Sequence, residues 1–292
     1  MTPTQQKIED FQSLHQAISI DKKELPWRPH LGLSIIGQEC SRKTWMDFRW
    51  SFQPDFPPNV IRLFDRGHRE EPRFVNYLRV LGIKVEEVHP ETGKQFKTSH
   101  CDGHVGGSLD GFAYGFVEYP NEWVILEFKT HSLKSFDDLV KKGVKGSKPQ
   151  HYGQMQGYMR KFKVKRAYYM AVCKNDDRLY TEWVQLDEAY ADGLLDLSVE
   201  LVYGPIPDRI ALSSTDHRCR FCDHKPVCWF RSGAEPALNC RTCDHSYPNK
   251  QGTWGCTFNG VEADLDCYNP CGSWTKRAEY IKPQDIVISL KM

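Results

Sequence analysis

The 292 residues carry 39 Lys+Arg against 38 Asp+Glu, a net charge of +1, so no whole-chain field marks out a polyanion binder. No stretch is apolar enough to cross a membrane and no apolar segment opens the chain. The 11 cysteines are therefore expected in a reducing, cytoplasmic setting, where clustered thiols hold metal rather than disulfides.

Residues 4–19 are expected to form an N-terminal helix, and Cys40 stands alone in Gly37-Gln38-Glu39-Cys40. Pro54, Pro57 and Pro58 interrupt the chain ahead of a helix whose Phe74, Tyr77, Leu78 and Leu81 recur at i, i+3, i+4 and i+7 and stop at Gly82. Glu70 and Glu71 mark its expected entrance, where first-turn acids favour the helix dipole, with His68 just ahead. Val105, Leu109, Phe112 and Phe116 give strand content around Asp110, and Gly106, Gly107 and Gly111 permit a bulge. In Trp123-Val124-Ile125-Leu126-Glu127-Phe128-Lys129, a period of two puts Glu127 and Lys129 on one face and Leu126 and Phe128 on the other. A charged pair on so apolar a strand needs a partner, and Asp110 supplies one if a hairpin joins the two strands. Hard cations bind carboxylate oxygens, and a nearby ammonium can orient or deprotonate water, so the set suits a divalent-metal hydrolase. A bare Glu-x-Lys equally describes an ordinary ion pair, and Asp21-Lys22-Lys23 fits the loose Asp-x-Lys pattern too.

Lys134, Lys141, Lys142, Lys145 and Lys148 form a basic connection that Gly143 and Gly146 make mobile in this reading, a charge pattern suited to holding phosphates. Lys161, Lys163, Lys165 and Arg166 extend the basic rim. Between the two lies a helix in which Gln154 and Tyr158 are one turn apart and share a face, while Tyr152, Met155 and Met159 turn to the core. Strands over 167–172 and 179–184 and a helix over 187–203 follow, closing an α/β sandwich with helices covering a mixed sheet.

Two cysteine sets remain. Cys219, Cys222 and Cys228 read C-x2-C-x5-C, one thiolate short of a four-ligand site, and Cys40 offers the fourth. A zinc knuckle using His217 or His224 is the alternative. Cys240, Cys243, Cys256, Cys267 and Cys271, with His245, compete for four places in a zinc-ribbon-like loop. The expected set is Cys240, Cys243, Cys256 and Cys271, with Cys267 as the substitute. Cys101 and Cys173 are expected as free, buried thiols.

Asp110, Glu127-x-Lys129 and Gln154-x3-Tyr158 together resemble the PD-(D/E)xK nuclease superfamily, specifically its RecB-like branch, where these residue types form the active site. The resemblance implies a restriction-endonuclease-like core, a mixed sheet flanked by helices, over residues 1–231, and the second cysteine set makes 232–292 a small Cys-rich, zinc-ribbon-like tail. It implies a further acidic ligand four residues after Gly67, at Glu71, with Glu70 and His68 as competitors. Glu71 in that place is similar to phage-type exonucleases, and one cysteine before the core with three after it is similar to the CRISPR-associated RecB-like exonucleases and AddB-type nuclease domains of this branch. That implies a 4Fe-4S cluster on Cys40, Cys219, Cys222 and Cys228. The implied activity is Mg2+- or Mn2+-dependent DNA exonuclease action leaving 5′-phosphate and 3′-hydroxyl ends. Glu71, Asp110 and Glu127 would hold the metal, Lys129 would activate water, and Gln154 and Tyr158 would position the lysine or the phosphate. The implied settings are recombination, repair, phage DNA processing or CRISPR adaptation, with protein partners from those systems and, for a phage gene, the host cytoplasm. A non-catalytic DNA- or protein-binding module on a nuclease-like fold is the competing class.

Overall fold

The computed structural model describes residues 2, 5, 6, 27–53 and 55–281. Most of the expected N-terminal helix over 4–19, the Asp21-Lys22-Lys23 turn and Pro54 lie outside the described residues. The chain lays down β1 (Leu31–Gly32), α1 (Leu33–Ile36), α2 (Ser41–Phe48) and the long α3 (Pro58–Val80). Strands β2 (Lys84–Glu86), β3 (Lys97–His100), β4 (Val105–Ser108), β5 (Gly111–Tyr114) and β6 (Trp123–His131) follow. Helices α4 (Leu133–Ser147) and α5 (Pro149–Phe162) lead to β7 (Arg166–Cys173), β8 (Leu179–Gln185) and α6 (Glu188–Tyr203). The cysteine-rich end adds α7 (Lys225–Cys228) and the antiparallel pair β9 (Ser246–Pro248) and β10 (Trp254–Cys256).

The main sheet has the order β2-β5-β6-β7-β8. Only β6 and β7 run parallel, and α4 and α5 make the crossover that a parallel pair requires. Because Val124, Ile125 and Leu126 make β6 apolar on both sides, each of its faces finds its own cover. Val124, Leu126 and Phe128 join Phe74, Val75 and Leu78 of α3, with Phe74 stacked on Phe128 at 5.0 Å. On the other face Ile125 packs with Leu139, Met155, Met159 and Tyr169. The result is the expected mixed sheet flanked by helices. A second, small sheet, β1-β4-β3, stands beside it. The Cys-rich end packs into the same apolar cluster as α2, through Trp254 and Tyr280 against Trp45 and Phe48. Arg241 ties it down: its guanidinium lies 3.7 Å over the Trp50 ring and donates to the carbonyls of Phe48 and Pro29. Among the described residues no helix is long and apolar enough to cross a membrane.

Two expectations need correction. The helix carrying Glu70 and Glu71 begins at Pro58, a residue suited to the first helical position, and passes through Pro72, so both acids sit in mid-helix. The helix dipole therefore does not account for them. The lysine-rich connection is not a loop but α4, because Phe136, Leu139 and Val144 supply an apolar stripe that the sheet buries. Gly143, at φ +67, breaks that helix near its end, and the backbone N–H of Val144 is held by Glu182.

Candidate active site

The site forms where two strands part. β5 pairs with β6 from Tyr114↔Trp123 to Gly111↔Leu126 and then leaves for the small sheet through Asp110. Past Leu126, β6 has lost that neighbour. The orphaned N–H of Phe128 is taken by the Asp110 side chain, Oδ2 at 2.7 Å, so the residue that ends the pairing also restores the missing acceptor.

Glu127 projects from β6 toward α5 and is 1% exposed. The Lys129 ammonium donates to one carboxylate oxygen, and Gln154 Nε2 donates to the other at 3.1 Å. Burial is the largest influence on Glu127 and outweighs Lys129; with the neighbouring Asp110 and Glu71 charges, its carboxyl is pushed up to about 7. Burial alone would lower the Lys129 ammonium, but Glu127, Asp110 and Glu71 together hold it above its ordinary value. Glu71, half-buried on α3, is likewise raised by burial and then by Asp110. Three carboxylates thus repel one another around one ammonium, and the remaining negative charge calls for a cation.

The other candidates separate from this centre. Glu70 pairs with Arg73 at 3.2 Å. His68 is exposed, on the rim of a cleft of about 1,090 Å³ into which Glu71 and Lys129 open and which Phe52, Phe56 and Phe64 help to wall. Tyr158 does not bond to Lys129; its hydroxyl donates to the Ser108 carbonyl at 2.9 Å, bracing the strand that leads into Asp110. That contact depends on Gly107, where a Cβ would run into the Tyr158 hydroxyl.

All eleven thiols are free, and eight of them line two small cavities. Cys40, Cys219, Cys222 and Cys228 line one small cavity. Cys40 caps α2, accepting from the Lys43 N–H at 3.4 Å, and the Cys222 thiol is pushed up chiefly by burial and further by Cys40 and Cys228. His224 lines the same cavity with its Nε2 on Asp47 at 2.7 Å, whereas His217 projects into solvent. Cys240, Cys243, Cys256 and Cys271 line a second cavity together with His245. Cys267 is buried outside it, beside Arg241, and its carbonyl accepts from the Cys240 N–H at 3.0 Å. Burial is the main reason the Cys240 thiol is pushed up to about 12, and the other four thiols of the set add to it. Cys101 and Cys173 are buried. Among the described residues no three His, Cys, Asp or Glu side chains are already gathered around a common point in a metal-holding arrangement.

Sequence reasoning missed His131, His151 and Tyr169, which adjoin Glu127 and Lys129 on this face of the sheet. Two carried a signal: His131 follows Lys129 by one strand period, and His151 precedes Gln154 by one helical turn. Tyr169 carried none, since only the β6-β7 register puts it opposite Glu127.

No family model and no curated protein matches the chain. Solved structures that resemble it include the alkaline exonuclease LHK-Exo from Laribacter hongkongensis, at TM-score 0.41 and 17% identity, covering 59% of this chain and 86% of that one. LHK-Exo in complex with dAMP resembles it at TM-score 0.44 and 15% identity with the same coverage. SSO0001 does so at TM-score 0.40 and 13% identity, covering 76% of this chain and 96% of that one. All three scores lie below 0.5, and the reading of the site rests on its own side chains.

Proposed function

We propose that the chain is a divalent-metal-dependent DNA exonuclease of the RecB-like type, with Asp110, Glu127, Lys129 and Glu71 at its centre. The observation that carries this reading is the buried Glu127, shared between Lys129 and Gln154 and crowded by two further carboxylates, beside a large cleft that Lys129 and Glu71 line. A surface ion pair has no need of such surroundings, and a binding module has no reason to sustain the cost of burying them. The donor set fits a hard cation: Asp110, Glu127 and Glu71 would hold Mg2+ or Mn2+, which when bound supplies Lewis-acid polarisation of the phosphate and an acidified water.

The residues of the chain itself do the rest. Lys129, fixed by Glu127, orients the attacking water and neutralises charge gathering on the phosphate. Gln154 holds the Glu127 carboxylate in one orientation, and Tyr158 holds the strand entering Asp110. As the resemblance implies, water adds to the phosphorus and the P–O3′ bond breaks, the 3′-oxygen leaving as a hydroxyl and the phosphate staying on the 5′ end. The first thiol set suits a 4Fe-4S cluster on Cys40, Cys219, Cys222 and Cys228 in donor number and softness, and the second suits zinc on Cys240, Cys243, Cys256 and Cys271. Both would pin the chain ends to the core rather than take part in hydrolysis.

The reading is tested by incubating anaerobically purified protein with linear and circular DNA, with Mg2+, Mn2+ or EDTA. Nucleotide release from linear DNA only, dependent on the cation, is expected. Cutting of the circle would replace exonuclease by endonuclease action, and no release under any condition would remove the reading.

A further inference from the structure

Beside Glu127 the same sheet face carries a second polar assembly that the proposed chemistry does not use. His131 returns to the face of Glu127 and Lys129 by the strand period, and Tyr169 lies opposite Glu127 on β7, fully buried. The Tyr169 hydroxyl stands 2.8 Å from His131 Nε2 and 3.0 Å from His151 Nδ1. His131 Nδ1 in turn lies 3.1 Å from the Ser135 hydroxyl of α4. One phenolic hydroxyl has a single proton to give, so it donates to one ring and accepts from the other. Two neutral imidazoles satisfy that demand. Burial, aided by Lys148 and Lys129, holds His131 down to about 4, and burial, aided by Lys129, holds His151 down to about 3.

His151 and Gln154 share a face of α5, and through them the helix makes two polar contacts with the sheet, on Tyr169 and on Glu127. Apolar packing is non-directional and fixes the spacing between helix and sheet more firmly than their register. We propose that Tyr169 is a positioning residue of the nuclease centre, its hydroxyl tying α5 to β6 and β7 in the register that keeps Gln154 on Glu127. The role rests on the nuclease reading of Glu127; the tie itself does not.

The test compares Tyr169→Phe with Tyr168→Phe, whose ring packs on the opposite face against Phe116 and Trp183. Two quantities are measured: steady-state DNA hydrolysis, and amide hydrogen exchange over residues 149–158 without DNA or cation. Tyr169→Phe is expected to lower kcat about tenfold with KM for DNA unchanged, as loss of an outer-shell partner does. It should also speed exchange at the start of α5, while Tyr168→Phe does neither. Wild-type kcat in Tyr169→Phe, unchanged exchange, or an equal loss in Tyr168→Phe would overturn the proposal. An inactive wild type is a different failure: it overturns the nuclease reading, and with it any catalytic consequence of the tie.

Discussion

Glu127 is the residue on which the site's energetics turn. Its folded-state carboxyl keeps a proton to about pH 7, whereas the unfolded chain releases it near 4.5. The folded state therefore binds more protons between those values, and raising the pH across that window costs stability. A cation held by the carboxylates replaces the proton and offsets that loss. The melting temperature of the cation-free protein should fall from pH 6 to pH 8, and the rise produced by Mn2+ should be larger at pH 8; an equal rise at both would speak against a cation on Glu127. Glu127 and Lys129 were legible in the sequence because strand period and a short motif fix them, and Asp110 through the glycine-flanked stretch expected to pair with their strand, although it lies in the break between β4 and β5 rather than in a strand. The roles of Glu70 and Tyr158 were not, since which acid turns inward and which carbonyl a hydroxyl meets depend on packing between distant segments.

At the level of elements, the site exists because β5 abandons β6 at Gly111 and because α5 lies close over the sheet. The close approach is bought with small residues. Gly107→Ala would press a methyl group into the Tyr158 hydroxyl and ring, and the expected cost is about 1–3 kcal/mol, read as a lower melting temperature together with slower DNA hydrolysis. An unchanged melt would show that Tyr158 is not braced there. The sequence pattern found β6, α5, β7, β8 and α6, whose periodicities are long and clean. It misjudged α3 and α4: glycine and lysine content suggested a mobile loop over 134–148, while the stripe of Phe136, Leu139 and Val144 prevailed, and the helix expected to enter at Glu70 and Glu71 begins at Pro58 and runs through Pro72.

Across the whole molecule, both ends of the described chain converge on α2. Cys40 at its start meets the 219–228 set, and Arg241, Trp254 and Tyr280 cover its other side. The two thiol sites should be separable by substitution. In anaerobically purified protein, Cys219→Ser with Cys222→Ser should remove iron and leave zinc, while Cys240→Ser with Cys256→Ser should do the reverse; metal analysis decides, and both variants should melt at lower temperature. The split arrangement was visible in the sequence as spacing, but spacing did not say how Cys271 and Cys267 lie in the folded loop, where Cys271 lines the cavity and Cys267 is buried beside Arg241, close enough to act on Cys240.

The central claim is that Lys129 and the carboxylates around it hydrolyse phosphodiester bonds. Single-turnover cleavage of end-labelled linear DNA in Mn2+, with wild type and Lys129→Ala at matched folding by circular dichroism, tests it most directly. Cleavage by the wild type and a loss of at least about a hundredfold in the variant are predicted. Equal rates in the two proteins, or no cleavage by the wild type, would contradict it.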